Sequence, residues 1–168
     1  THARLFGSDQ PYESRSTEDL LAEMQQIERQ YRDHDRHFLF EEHKSDVQLV
    51  VYNQGEEAIR DASLTLVVPN HVAFHVATEL PLRPLDGGFV ERTRRELANY
   101  PSVVVRKKAI QVSTKLGQIA PGAPFEAFKI PLRICAGHAL KGRRFGMQYT
   151  LFAQNLRAPA KGMLRLRF

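Results

Sequence analysis

The chain has 168 residues, of which 42% are hydrophobic and 26% charged, with one Cys and no Trp. That is enough apolar material for one ordinary core, and it excludes a wholly disordered chain or a disulfide-stapled miniprotein. Twenty-four Lys and Arg against 19 Asp and Glu leave a net charge of +5, and the sum hides a split at Asp46, with −5 on residues 1–46 and +10 on residues 47–168. No apolar run approaches the ~18 residues a membrane span requires, and the first residues lack a signal-peptide layout, so neither a membrane partner nor export is expected. Cys135 has no partner for a bridge and sits between Ile134 and Ala136, which suggests a small buried hydrophobe in a reducing compartment, the cytoplasm. The first residue is Thr rather than Met, so the chain is expected to be the C-terminal part of something longer.

Ser16 followed by Thr17, Glu18 and Asp19 reads as a helix start, because a hydroxyl caps orphan N–H groups and acids favour the positive end of the helix dipole. Leu20, Met24, Ile27 and Tyr31 then fall on one stripe at spacings of four, three and four. The stripe covers too few heptads for an autonomous coiled coil, and packing on the chain's own sheet is the favoured reading. A dimer through residues 17–36, or contact with a further domain, is the alternative.

From Phe38 the period becomes two. Val47, Leu49 and Val51 alternate with Gln48, Val50 and Tyr52 up to a turn at Asn53-Gln54-Gly55. Further strands are expected at Ser63–Val68, Val72–Ala77, Val103–Val105, Ile110–Val112, Phe125–Ile134, Phe145–Ala153 and Met163–Phe168, with a loop from Pro81 to Gly88 and a turn at Ile119–Gly122. Pro131 cannot donate to a ladder, so its strand must lie at an edge or carry a bulge. With no helix between successive strands, the pattern predicts a mainly β fold, an antiparallel immunoglobulin-like two-sheet sandwich over residues 46–168, preceded by one amphipathic N-terminal helix within residues 1–45.

The turn order resembles bacterial immunoglobulin-like modules of the CARDB type: Asp46 to Tyr52 running into Asn53-Gln54-Gly55, Ala62 to Val68 ending in Pro69, and Leu116 to Ala120 closing on Pro121-Gly122. The resemblance covers residues 46–168 and implies a non-catalytic adhesion, spacer or docking module; the insertion from Leu80 to Pro101 departs from it. Ala3 to Ser8 followed by Ser16 to Leu21 is similar to the closing strand and last helix of Schlafen/Alba-type nucleic-acid-binding domains. That likeness implies a nucleic-acid activity located upstream, and it transfers no functional residue.

Candidate chemistry is sparse. Asp33, His34, Asp35, His37 and Glu41 could gather a weak metal site on a continuing helix, although a solvated helix end accounts for them better. His71 and His75 have a four-residue spacing that chelates only on a helix; on a strand they stand ~13 Å apart. No nucleophile elbow and no Gly-rich phosphate loop occurs, so no catalytic residue, metal or cofactor is assigned. The candidate partner-binding residues are basic: Arg92, Arg94 and Arg95; Arg106, Lys107 and Lys108; Lys141, Arg143 and Arg144; Arg165 and Arg167. Converging clusters would hold phosphates, with Tyr100 or Phe145 stacking on bases, whereas scattered ones would only keep edges soluble. The sequence therefore reads as a non-enzymatic interaction module docking another protein or a missing domain through basic clusters. A nucleic-acid-binding accessory domain is the alternative, and a small-molecule-binding or enzymatic sandwich with residues 80–101 as a lid over His71, His75 and Arg92 is the second.

Overall fold

The computed structural model describes residues 15–85 and 88–168; the Ala3–Ser8 segment lies outside them. Ser16 starts the first helix as expected. Its Oγ accepts the Asp19 N–H at 3.1 Å and donates to the Asp19 carboxylate at 2.7 Å, and α1 runs over Thr17–His37. Leu20 and Ile27 on its stripe are half-buried, but Met24 is 59% and Tyr31 52% exposed, so the stripe is covered only in part. No helix among the described residues is long and apolar enough to cross a membrane.

The chain divides into compact units Thr1–Asp35 and Arg36–Phe168. The boundary expected at 45/46 therefore moves to before Arg36, for a local reason. Arg36 pairs with Glu79, and a π-helical turn at Phe38–Glu42 presents Glu41 to Arg133, so the segment before the first strand belongs to the second unit.

The second unit contains β1 (Ser45–Val47), β2 (Val50–Tyr52), β3 (Ile59–Pro69), β4 (Phe74–Val76), β5 (Arg83–Leu85), β6 (Gly88–Val90), α2 (Arg94–Asn99), β7 (Ser102–Val105), β8 (Ala109–Ile119), β9 (Pro124–Glu126), β10 (Leu132–Ala136), β11 (Arg144–Phe152) and β12 (Ala160–Arg167). A larger sheet has the order β12-β11-β3-β8-β7, and a smaller one has β1-β10-β4, with β2 and β9 as a separate pair. The strand pairings are antiparallel. Alternate residues of the larger sheet, Leu64, Leu66, Val68, Val112 and Met147, join Phe74, Val76, Leu132 and Ile134 of the smaller in one buried cluster. The fold is thus a mainly β, two-layer arrangement around a single core.

Pro131 acts otherwise than expected, for the strand that follows it, β10, is the middle strand of the smaller sheet and not an edge. The apolar run breaks, β9 stopping at Glu126 and β10 resuming at Leu132. Gln48 fills the gap: its Nε2 donates to the Phe128 carbonyl at 2.7 Å, its Oε1 accepts the Phe128 N–H at 3.1 Å, and Ala127 N–H reaches the Leu49 carbonyl at 2.8 Å. A side-chain amide thus takes the place of a missing ladder rung. Gln48→Ala strips both partners from Phe128 and is expected to cost about 1–3 kcal/mol, read as a lower urea midpoint; an unchanged midpoint would mean that the amide is dispensable.

The insertion is more ordered than a loop. Where a loop was expected, Arg83–Leu85 pairs antiparallel with Gly88–Val90, and α2 follows. The helix begins with a capping box in which Thr93 Oγ1 accepts the Glu96 N–H at 3.3 Å and the Glu96 carboxylate accepts the Thr93 N–H at 3.0 Å.

Candidate polyanion interface

The site is built by strand register. Pro69 faces Ala109, Val105 faces Ile110, Arg144 faces Arg167, and the pairing of Gln148 with Val67 orients β11 so that Arg144 points toward the Pro69 end of β3. The β7–β8 turn, the β10–β11 connection and the last residues of β12 therefore lie at the same end of the larger sheet.

Three local structures present the charges there. The β7–β8 turn closes through Arg106 N–H to the Ala109 carbonyl at 2.8 Å, which leaves Lys107 and Lys108 at its tip. Asn70 braces it, its N–H on the Lys108 carbonyl at 3.1 Å and its side-chain amide on the Arg106 carbonyl at 2.8 Å. In the β10–β11 connection, buried Leu140 is the anchor, and Gly142, at φ +76°, turns the chain between exposed Lys141 and Arg143; a residue with a Cβ resists that conformation. Arg165 and Arg167 point outward from β12, alternating with the inward Leu164 and Leu166.

Eight of the eleven expected residues thus converge, and all eight are exposed: Arg106, Lys107 and Lys108 on one side, Lys141, Arg143 and Arg144 on the other, with Arg165 and Arg167 beside them. None of the eight has a carboxylate partner among the described residues. The cause is compositional: residues 97–168 hold 13 Lys and Arg and a single acid, Glu126. Four strand intervals of about 4.8 Å put the outermost charges about 19 Å apart. An open depression of about 490 Å³ adjoins the β10–β11 connection, lined in part by His43, His138, Lys141 and Phe168.

The remaining three go elsewhere. Arg94 and Arg95 are exposed on α2, which leads into the opposite end of β7. Arg92 is drawn inward: it pairs with Glu41 and Glu96, and its Nε donates to the Pro81 carbonyl at 2.8 Å. It is therefore unavailable both to a partner and to a cleft with His71 and His75. His71 instead accepts the Ala73 N–H at 3.1 Å and lies edge-on to Phe145, while His75 is exposed on β4.

Glu41 accepts from buried Arg133 and from Arg92, with Lys44 Nζ 3.6 Å away. Three cations hold this carboxylate, so Glu41 belongs to an ion cluster rather than to the solvated helix end favoured for it or the weak metal site weighed against that; among the described residues no His/Cys/Asp/Glu group is arranged to hold a metal. No sequence pattern announced this cluster, since Glu41 and Arg133 are 92 residues apart.

The two aromatics expected to stack on bases are committed to the interior. Phe145 packs at 4.8 Å from Phe74 and 6.5 Å from Phe168. Tyr100 is buried, its hydroxyl donating to the Ala77 carbonyl and accepting the Arg133 N–H, both at 3.1 Å. Burial pushes its phenol up to about 12. Because the unfolded phenol ionises first, near 10, stability is full below that pH and falls as pH rises toward 12. Thermal melts between pH 10 and 12 should show this loss and should show less of it in Tyr100→Phe; identical profiles would exclude Tyr100 as its source. Cys135 is buried as expected, and burial raises its thiol pKa.

No family model, no curated protein and no solved structure matches this chain.

Proposed function

We propose that the chain is a non-enzymatic interaction module of a larger intracellular protein, which docks an acidic partner through the cationic end of its larger sheet. The observation that carries the reading is the convergence of eight exposed Lys and Arg with no carboxylate among them. Such an end raises the local concentration of a polyanion and speeds its encounter, and its attraction weakens with salt.

The immunoglobulin-like reading draws support from strand order. β3-β8-β7 in one layer and β10-β4 in the other correspond to B-E-D and F-C of that fold, with β11 and β12 occupying the β3 edge. The CARDB-type resemblance fits the same role, that of a docking piece rather than a catalyst.

The test is fluorescence anisotropy with two labelled polyanions, polyglutamate and a short DNA duplex, at low salt. Micromolar or tighter binding of at least one is expected; binding of neither overturns the reading.

A further inference from the structure

We propose that the acidic partner is a nucleic-acid duplex, lying across the outward face of the larger sheet and held by its phosphates; this rests on the docking role above and names its partner. Directly paired residues share a face, so the outward surface can be assembled row by row from the register. One row crosses the sheet as Ser102, Ser113, Thr65, Thr150 and Lys161. The next runs Val104, Gln111, Val67, Gln148 and Met163. Beyond it come Ala109, Pro69 and Arg165 opposite Gly146, and then the pair Arg144 and Arg167.

No acid stands on any of these positions. Glutamines separate the exposed apolar residues of the second row, so the face has no continuous apolar patch to bury against a second copy of the chain. Its middle is a strip of hydroxyls and amides able to donate to phosphate and sugar oxygens.

Cations border the strip on two sides. One border is Arg165 and Lys161 on β12, and the other is Lys115 on β8, three strand intervals or about 14 Å away. At the Lys115 border the sheet opens into a depression of about 510 Å³, whose lining includes Ser63, Thr65, Ser102, Ser113, Lys115 and Lys129 and no carboxylate. Two cationic borders at this separation suit two phosphate backbones flanking a ~12 Å major groove. A duplex also supplies a regular charge about every 1.7 Å, which an acidic protein surface does not.

The side chains of the strip are short or neutral and none reaches deep into a groove, so binding is independent of base sequence. Single strands fit less well. They call for successive exposed aromatics, and the face offers Phe152 alone, Tyr100 and Phe145 being engaged in the core.

The experiment compares a labelled duplex, the matching single strand and labelled polyglutamate on the full chain, on the double variant Ser113→Glu with Gln148→Glu, and on Ser113→Lys with Gln148→Lys. The expected result is duplex affinity about tenfold weaker in the Glu variant and tighter in the Lys variant, which an unfolded protein could not produce. Polyglutamate, held at the cationic end, should respond less than the duplex to both. A duplex that fails to bind while polyglutamate binds overturns this proposal and leaves the docking role standing; failure of both overturns the docking role too. Equal duplex affinity in all three proteins, or a preference for the single strand, overturns the placement on the face.

Discussion

Glu41→Gln is expected to destabilise the second unit by about 3–5 kcal/mol, because it leaves the Arg133 guanidinium buried without its counter-charge. Arg133 is 9% exposed on the middle strand of the smaller sheet, and Glu41 is the carboxylate that neutralises it, with Arg92 on the same oxygen. A loss of that size is a large share of the roughly 5–15 kcal/mol that usually holds a domain together. The damage should be non-additive. Glu41→Met combined with Arg133→Met removes both charges and is expected to cost less than the two single changes together, since the penalty arises from the unpaired ion. Urea denaturation of the four proteins measures this coupling; additive losses would show that the ion cluster contributes no more than its separate contacts.

The second large effect concerns binding. Arg143→Glu with Arg144→Glu reverses two charges in the midst of the cationic end and is expected to weaken polyanion affinity at least tenfold at low salt, with slower association as the mark of lost steering. Both side chains are exposed and lack a carboxylate partner among the described residues, so the melting temperature should hardly change. The control is Arg94→Glu with Arg95→Glu on α2, which makes the same change in net charge away from that end. Stopped-flow and equilibrium anisotropy of the two variants separate placement from net charge, and equal losses in both would count against a localised site.

Much of the fold was legible in local pattern. Ser16 marked a cap and alternation from Val47 onward marked strands, whereas Pro131, read as an edge or a bulge, precedes a central strand. The insertion was misread as a loop, although Thr93 followed three residues later by Glu96 is a capping-box signal that could have placed α2. The Gln48 bridge and the cluster around Glu41 were not legible, since each depends on partners some 80 or 90 residues away.

The candidate site divides along the same line. Charge runs such as Arg106 to Lys108 are visible in any sequence, but their convergence is a property of register, fixed by pairs such as Gln148 with Val67 and Arg144 with Arg167. Arg92 shows the opposite case. By sequence it is one more basic residue of the insertion, and only the positions of Glu41 and Glu96 reveal that its guanidinium is already paired. Tyr100 likewise reads as an exposed aromatic beside a proline until its two hydrogen bonds place it in the core.

The measurement that tests the central claim most directly is the salt dependence of duplex binding to the unaltered chain. A cationic end and border acting through phosphates should give a linear fall of log affinity against log salt, with a slope of about 0.9 for each phosphate neutralised and hence about four to seven for the charges brought together here. Binding with a slope near zero, or no binding at low salt, would contradict the account.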